Sequence, residues 1–266
     1  YFLSVVLIGT IYPIFLDVLS SQKISVGPPF YHKLIIPFLI PFLLIMAIGP
    51  KLKWIKSNLE DKIYLITLLV VSILLSILIV KNFSSNFLIN TILISSAFYL
   101  FFITLRDFFI KGFKNLAQNT AHFGFSLLIL SILFNNLFST ETITNLKVGE
   151  TFENTKTKII FESISQKEEK NYKSIMAKFT IQDSKGKIEN LSPELRIYNQ
   201  PNIVTSEADI RTTLLSDKFI VINVVPNQEL FNVRYQVKPF MLWIWISVIL
   251  ISASRLKNYL KKEYEK

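Results

Sequence analysis

The chain has 266 residues, of which 51% are hydrophobic and only 18% charged, and its mean hydropathy is +0.42. Soluble domains usually carry about 25% charged residues, so the composition argues against a soluble globular protein and excludes a disordered chain. The sequence contains no cysteine, which excludes disulfides, thiolate metal sites, covalent haem attachment to this chain and a cysteine nucleophile. Residue 1 is a tyrosine inside an apolar run, so we expect the chain to be part of a longer protein.

Six apolar runs predict membrane-spanning helices, because crossing the hydrocarbon core takes about 20 mostly apolar residues. Ile63–Val80 and Phe87–Leu105 contain no charged residue. The other four runs are Tyr1–Leu19, Leu34–Gly49 (which extends back to Tyr31), Ala121–Phe138 and Phe240–Ala253.

Lysine and arginine are distributed unequally among the predicted loops, although the net charge is +10. One side holds Lys51, Lys53, Lys56, Lys62, Arg106, Lys111, Lys114 and the basic tail Arg255, Lys257, Lys261, Lys262 and Lys266. The short loops on the opposite side hold only Lys23, Lys33 and Lys81. Because cytoplasmic loops are the basic ones, we expect these loops and the C-terminus in the cytoplasm or the mitochondrial matrix. The basic excess is then topological, and nucleic acid is excluded as a partner.

Between the last two spans the composition becomes polar, with mixed charge and little net sign. Short runs with strand character occur at 158–162, 174–181, 219–225 and 230–237, and turn signals at 183–186, 199–202 and 226–228 separate them. This pattern predicts a small, mainly antiparallel β domain. The predicted organisation is a five-span region at 1–138, an extracytoplasmic β domain at 139–237, a final span at 238–254 and a basic tail at 255–266.

His122 is the first candidate site residue. A helix beginning near Asn115 would place it roughly 10 Å inside the cytoplasmic end of the fifth span. An ionisable residue at membrane depth is a functional-site hypothesis by default, because a neutral imidazole ligates haem iron or relays protons. The alternative is an interfacial histidine that hydrogen-bonds a neighbouring helix.

His32, the other histidine, follows Gly27-Pro28-Pro29 at the outer end of the second span, where a solvated interfacial side chain is the simpler interpretation. The two histidines are expected near opposite faces of a core about 30 Å thick. Two axial nitrogens on one iron lie only about 4 Å apart, given metal–nitrogen bonds near 2 Å. They therefore cannot share one iron.

Other features have simple structural interpretations. The Gly27-Pro28-Pro29 segment is interpreted as a rigid re-entry turn, with a docking surface as the alternative. Pro37 and Pro41 within the second span are interpreted as packing or cavity-lining residues. Trp243 and Trp245 suit an interfacial anchor. Glu194, Arg196 and Glu207 in the β domain form either a solvated face or a partner-binding surface.

Four stretches, in this order, resemble the C-terminal part of the CcmF family, the haem lyase component of cytochrome c maturation. They are Lys23–Tyr31 leading into a span that ends Gly49-Pro50, Ala121-His122-Phe123-Gly124, Leu191–Tyr198 followed by Thr205-Ser206-Glu207, and Lys238-Pro239-Phe240 with Trp243-Ile244-Trp245. Together they extend over most of the chain.

The resemblance implies that His122 is an axial ligand to the iron of a haem b within the membrane. It also implies transfer of haem from the chaperone CcmE to apocytochrome c, assisted by CcmH-type subunits, in a bacterial or mitochondrial inner membrane. The family's tryptophan-rich segment and its other functional histidines precede the region matched here, and no tryptophan precedes Trp54. We therefore expect either a truncated sequence or one half of a split protein, inactive as a lyase without its N-terminal part.

Two other classes of function are compatible with the residues. One is half of a polytopic transporter whose proline-containing second span lines a substrate path. The other is a non-catalytic assembly factor that uses its β domain for docking.

Overall fold

A computed structural model describes residues 1–20, 24–52, 62–83, 86–110, 116–184, 186–226 and 229–264, without the side chains of 83 and 255–264. The chain folds into two units, one of Tyr1–Leu133 with Ile246–Lys266 and one of Phe134–Trp245. Several basic residues that predicted the topology lie outside this description: Lys23, Lys53, Lys56, Lys111, Lys114, Lys266 and the side chains of the tail from Arg255 on.

The helices follow the predicted apolar runs. They are α1 (Phe2–Ser20), α2 (Pro28–Ile48), α3 (Lys62–Phe83), α4 (Phe87–Ile110), α5 (Leu116–Phe138) and α6 (Met241–Tyr264). Within the described residues, α1 to α5 are long and apolar enough to cross a membrane, and α6 has a shorter apolar part at Met241–Ser254.

Helix α2 begins six residues before the predicted span, so the interpretation of Gly27-Pro28-Pro29 as a re-entry turn was wrong. Gly27 is extended, and the two prolines occupy the first turn of the helix. Proline suits this position because its fixed φ is already helical and the first-turn N–H groups have no intrahelical acceptor. Pro37 and Pro41 lie inside α2 with exposed side chains.

Within the helical unit, α4 is the central element. Its most apolar window is 61% buried, whereas those of the other four candidate spans are 11–22% buried. Helix α4 packs against α2 and α3, and α1 packs against α2. At the α1–α2 contact, Gly9 lets the Tyr31 ring approach so closely that an added Cβ would lie 2.7 Å from its hydroxyl.

The β unit is a sandwich of two antiparallel sheets. Its strands are β1 (Thr140–Leu146), β2 (Thr151–Glu153), β3 (Thr157–Glu168), β4 (Tyr172–Asp183), β5 (Ile188–Leu191), β6 (Glu194–Tyr198), β7 (Val204–Glu207), β8 (Asp209–Thr212), β9 (Ser216–Val224) and β10 (Phe231–Pro239). One sheet has the order β1-β10-β9-β8, and the other has the order β2-β3-β4-β6-β7 with β5 also paired to β4. The predicted fold class, a polytopic helical membrane protein with a small β domain, is confirmed.

The core of the sandwich consists of alternate residues from the long strands. Phe161 and Phe179 stack with ring centroids 4.4 Å apart, and Ile220, Ile222 and Val233 from the other sheet are fully buried with them. The four predicted strand runs correspond to β3, β4, β9 and β10. Of the turn signals that separated them, Lys185, Asn227 and Gln228 lie outside the described residues.

The β unit also contains the ends of the helices that flank it. The side-chain amide of Asn135, near the end of α5, donates to the Pro239 carbonyl at 2.6 Å. Phe240 adopts a φ of +60 between β10 and α6, and its ring lies 5.3 Å from that of Phe134. This left-handed residue ends the strand and turns the chain into α6 at Met241, one residue after the predicted start of the last span.

Candidate functional site

Helix α5 positions His122 close to its first turns. The described part of the helix begins at Leu116, and Asn115, the predicted start, lies outside the described residues. His122 is therefore about 9 Å along the helix from its first residue, at 1.5 Å per residue, and its side chain is half-buried.

One face of α5 packs on α4 through both polar and aromatic contacts. Ser126 and Thr104 share a buried hydrogen bond of 2.8 Å between their hydroxyl oxygens. The Phe123 ring lies 5.8 Å from Phe101 and 5.4 Å from Phe108. Such small polar and aromatic contacts hold helices together where lipid offers no hydrophobic driving force, so α5 is fixed to α4 in the turn that follows His122.

A second face of α5 packs on α6 at Gly124. A Cβ added there would lie 3.0 Å from Ile251 Cγ1, 3.2 Å from the Ile251 nitrogen and 3.2 Å from Leu250 Cβ. Two positions along a helix differ by about 200° around its axis. The α6 contact therefore lies on the side of α5 away from His122.

The side of α5 that carries His122 lies next to α2. Phe125 is one turn further along the same side, and its ring lies 6.1 Å from that of Phe42 on α2. Ser126, one turn after His122, faces α4 and forms its hydrogen bond with Thr104 there. His122 thus projects from the part of α5 that borders both α2 and α4.

Charged and polar groups join the helix ends near His122. Lys51, directly after α2, forms an ion pair of 3.0 Å with Asp107 on α4, and both side chains are largely buried. The Asn119 amide, one turn before His122, lies 3.5 Å from the Asp107 carbonyl. The Arg106 guanidinium lies 4.0 Å above the Tyr64 ring at the start of α3. These contacts bring the ends of four helices together on the side predicted to be basic.

His32 lies far from His122. Phe42 and Phe125 mark the same level of α2 and α5. The two helices run in opposite directions, because Lys51, which follows α2, pairs with Asp107, whose carbonyl lies 3.5 Å from the Asn119 amide in the first turn of α5. From that level His32 is ten residues along α2 one way, and His122 is three residues along α5 the other way. At 1.5 Å per residue the separation along the helix axes is about 20 Å, too far for two ligands of one iron.

The prediction that His122 is an axial haem ligand is compatible with the arrangement of the described residues. Within the described residues there is no group of three or more His, Cys, Asp or Glu side chains that could hold a metal ion by themselves. Haem iron is held by axial ligands such as a histidine imidazole, so a single side chain can supply one position. The half-buried imidazole on a fixed helix fits one such position.

In the β unit, Glu194 and Arg196 form a cluster on the outer face of β6. Arg196 Nη2 lies 2.9 Å from Glu194 Oε1, and the Ser174 hydroxyl donates to Glu194 Oε2 at 2.7 Å. These two hydrogen bonds, that of Arg196 first, lower the pKa of Glu194 below its ordinary value. The Arg196 guanidinium also lies 5.1 Å above the Tyr172 ring. Glu207 lies beside Glu194 in register on β7, where its carboxylate accepts from Thr205 at 3.0 Å.

Glu189 on β5 is a buried acid that the sequence reasoning missed. It is 3% exposed, and its two oxygens lie 2.7 Å from Lys187 Nζ and 2.9 Å from Lys218 Nζ. Burial raises the pKa of Glu189, but the hydrogen bonds from the two lysines outweigh burial and lower it overall. Because Lys218 belongs to β9, this ion pair joins the two sheets of the sandwich.

The comparisons with known proteins agree over both units. A family model described as the CcmF C-terminal beta-sandwich matches residues 137–239, the stretch that holds all ten strands. A solved structure named Cytochrome c Heme Lyase CcmF superposes with a TM-score of 0.71 and 20% identity, covering 96% of this chain and 43% of that one. The chain matches the C-terminal part of CcmF. The predicted resemblance is thereby confirmed, and the likeness to the solved structure shows the fold.

Curated CcmF relatives extend the match through the helical unit. The CcmF of Pseudomonas fluorescens is 26% identical over 276 residues, which covers 98% of this chain and 42% of that protein. The CcmF of Escherichia coli K12 is 24% identical with the same two shares, and the CycK of Rhizobium meliloti is 23% identical over 94% of this chain and 40% of its own. The chain spans about two fifths of the length of these relatives. Its apolar helices and its similarity to CcmF make it a multi-pass membrane protein.

Sequence signals for the other contacts of this CcmF-like chain were weak. Asp107 is the only acid in its predicted loop, which is the signal that could have drawn attention to its pairing with Lys51. Gly124 stands within the Ala121–Gly124 motif, but nothing local in the sequence reveals that α6 packs against it. Glu189 follows an exposed turn and has no local feature that predicts burial.

Proposed function

We propose that this chain is the C-terminal part of a membrane haem lyase that functions in cytochrome c maturation. The observation that carries the proposal is that the CcmF match extends over the membrane helices and the β-sandwich together, covering 96% of this chain in the solved structure. The curated relatives are named as cytochrome c-type biogenesis proteins. The lyase activity belongs to the whole protein, and this part by itself is inactive.

In this proposal His122 supplies one axial nitrogen to the iron of a haem b. Its half-buried position in α5 and the contacts of the neighbouring Phe123 and Ser126 with α4 support the assignment. A bound haem would supply a redox-active iron inside the membrane. The second axial ligand comes from the N-terminal part of the protein, since His32 lies about 20 Å away along the helix axes.

The partners proposed are those that the resemblance implies. They are membrane lipid, the haem chaperone CcmE, CcmH-type subunits, apocytochrome c and the N-terminal part of the same protein. The location proposed is the bacterial or the mitochondrial inner membrane, with the C-terminus in the cytoplasm or matrix. The gathering of Lys51, Arg106 and Asp107 at one end of the helices supports that orientation.

The decisive experiment is an absorption spectrum of the complete assembly with and without His122. His122→Ala should remove or severely reduce the haem absorbance, because a pocket with one ligand lost holds iron weakly. His32→Ala is the matched control and should leave the spectrum unchanged, and the 266-residue chain expressed alone should bind haem poorly. Full haem retention in the His122→Ala assembly would return this histidine to a structural role.

The same preparation distinguishes the other two functions. The transporter alternative is favoured by the exposed Pro37 and Pro41 in α2, which are available to line a path. It predicts substrate flux without haem. The assembly-factor alternative predicts partner capture by the β domain with neither haem nor flux.

A further inference from the structure

The turn between β8 and β9 presents two exposed leucines in a fixed shape. Leu214 and Leu215 are 63% and 65% exposed, although tight turns usually carry polar residues or glycine. The Thr213 N–H donates to the Ser216 carbonyl at 3.0 Å, and its hydroxyl donates to the same carbonyl at 2.7 Å. That hydroxyl oxygen also accepts from the Ser216 N–H at 3.1 Å. These three bonds close the turn and leave both leucines at its tip.

Two hydrogen bonds attach the tip to the start of α6. The Phe240 N–H donates to the Leu215 carbonyl at 2.9 Å, and the Trp243 indole N–H donates to the Leu214 carbonyl at 3.0 Å. All of these groups belong to the Phe134–Trp245 unit. The two leucines therefore lie level with the first turn of α6.

The first turn of α6 has the composition of a membrane–water interface. The apolar part of the helix starts at Met241, and Trp245 is 62% exposed. Tryptophan concentrates at the headgroup level of membrane proteins. Lys238 precedes the helix, and such a lysine extends its ammonium to the headgroups while its stem stays in apolar surroundings. Because Leu214 and Leu215 are held level with these residues, they lie at the same depth, in the headgroup layer.

We propose that the β8–β9 turn is a lipid-binding element whose Leu214 and Leu215 side chains insert into the bilayer interface beside α6. The occupant of this apolar patch is the lipid itself, because the patch is bonded to the start of a membrane helix. The turn anchors the β domain to the membrane at a point separate from the two chain connections through α5 and α6. The proposal depends on α6 being a membrane helix and is independent of haem binding.

The absence of cysteine from the sequence allows a direct test by spin labelling. Leu214→Cys and Leu215→Cys are each labelled with a nitroxide in the full chain, in vesicles of phosphatidylcholine and phosphatidylglycerol. Val224→Cys is the matched control, because Val224 is also an exposed apolar residue, at 54%, and ends the same strand. It lies eight residues beyond Ser216, about 26 Å along β9.

The measured quantity is accessibility of the label to oxygen, which concentrates in lipid, relative to a water-soluble nickel chelate. We expect oxygen to dominate at positions 214 and 215 and the nickel chelate to dominate at position 224. Circular dichroism of each labelled chain verifies that the fold is retained. If the nickel chelate dominates at both leucines in these vesicles, which contain no other protein, the proposal is overturned and a protein partner for the patch is favoured.

Discussion

Replacing Gly124 tests whether α5 and α6 depend on close backbone approach. Carbon atoms in contact normally lie about 3.5–4.0 Å apart, whereas an added Cβ would stand 3.0 Å from Ile251 Cγ1 and 3.2 Å from both the Ile251 nitrogen and Leu250 Cβ. The Ile251 side chain can rotate away, but the backbone nitrogen and the Leu250 Cβ move only with the helix. Gly124→Ala therefore requires α6 to shift by about 0.5 Å.

The cost of that shift is partly offset by helix propensity. Overpacking of this kind costs roughly 1–3 kcal/mol, while alanine is better than glycine inside a helix by roughly 0.5–1 kcal/mol. We expect Gly124→Ala to destabilise the protein by about 1 kcal/mol, the difference of these two effects. Gly124→Val adds two further methyl groups against the same backbone, and we expect a loss of about 3 kcal/mol.

The assay is thermal unfolding of the detergent-solubilised 266-residue chain. At this chain size each kcal/mol lowers the melting temperature by about 2–4 °C. Gly27→Ala is the matched control, because its added Cβ would lie 3.6 Å from Pro29 Cδ, an ordinary contact, in extended backbone. It should be neutral or slightly stabilising. If Gly124→Val has the same melting temperature as the unaltered protein and the Gly27→Ala control, α6 does not pack closely on α5.

Three further predictions concern topology and the β domain. Reporter fusions at Lys185 and after Lys266 should report opposite sides of the membrane, and the same side for both would refute the six-span topology. Ser139–Val237 expressed alone should give β-type circular dichroism. A mainly helical spectrum would contradict the assignment of a β domain. Glu189→Gln should lower the free energy of unfolding of the β domain in urea by about 3 kcal/mol at neutral pH, because it leaves the Lys218 charge without its buried partner. Because the pKa of Glu189 is lowered in the folded state, this stabilisation is present above the unfolded pKa near 4.3 and is lost as pH falls through the folded pKa. If the two proteins differ in unfolding free energy as much in strong acid as at neutral pH, this explanation is contradicted.

The sequence predicted the elements whose pattern is long and local. Apolar runs near the thickness of a bilayer identified α1 to α5. Alternation identified β4 and β10, a short apolar run between charges identified β3, and a run of β-branched residues identified β9. The short strands were missed because they carry little pattern: β1 is mostly polar with one edge exposed, and β2 has three residues. The start of α2 was missed because a Gly-Pro-Pro sequence fits both a turn and a helix N-terminus.

The candidate site was predictable only in part. His122 was recognisable because an ionisable residue at membrane depth is expensive. Its surroundings depend on pairs distant in sequence, such as Ser126 with Thr104 and Phe125 with Phe42. Which face of α5 meets which helix is decided by tertiary packing, and a nearly uniform apolar helix carries no periodicity that would reveal it.

The pairing of β1 with β10 determines how the β domain is carried by the rest of the chain. Thr140 is in register with Val237, and directly opposed residues of antiparallel strands lie about 5 Å apart. The chain thus leaves α5 through β1 and returns to α6 through β10, and these two strands are hydrogen-bonded neighbours. Because the two ends already meet, a connection of a few residues would span the same gap.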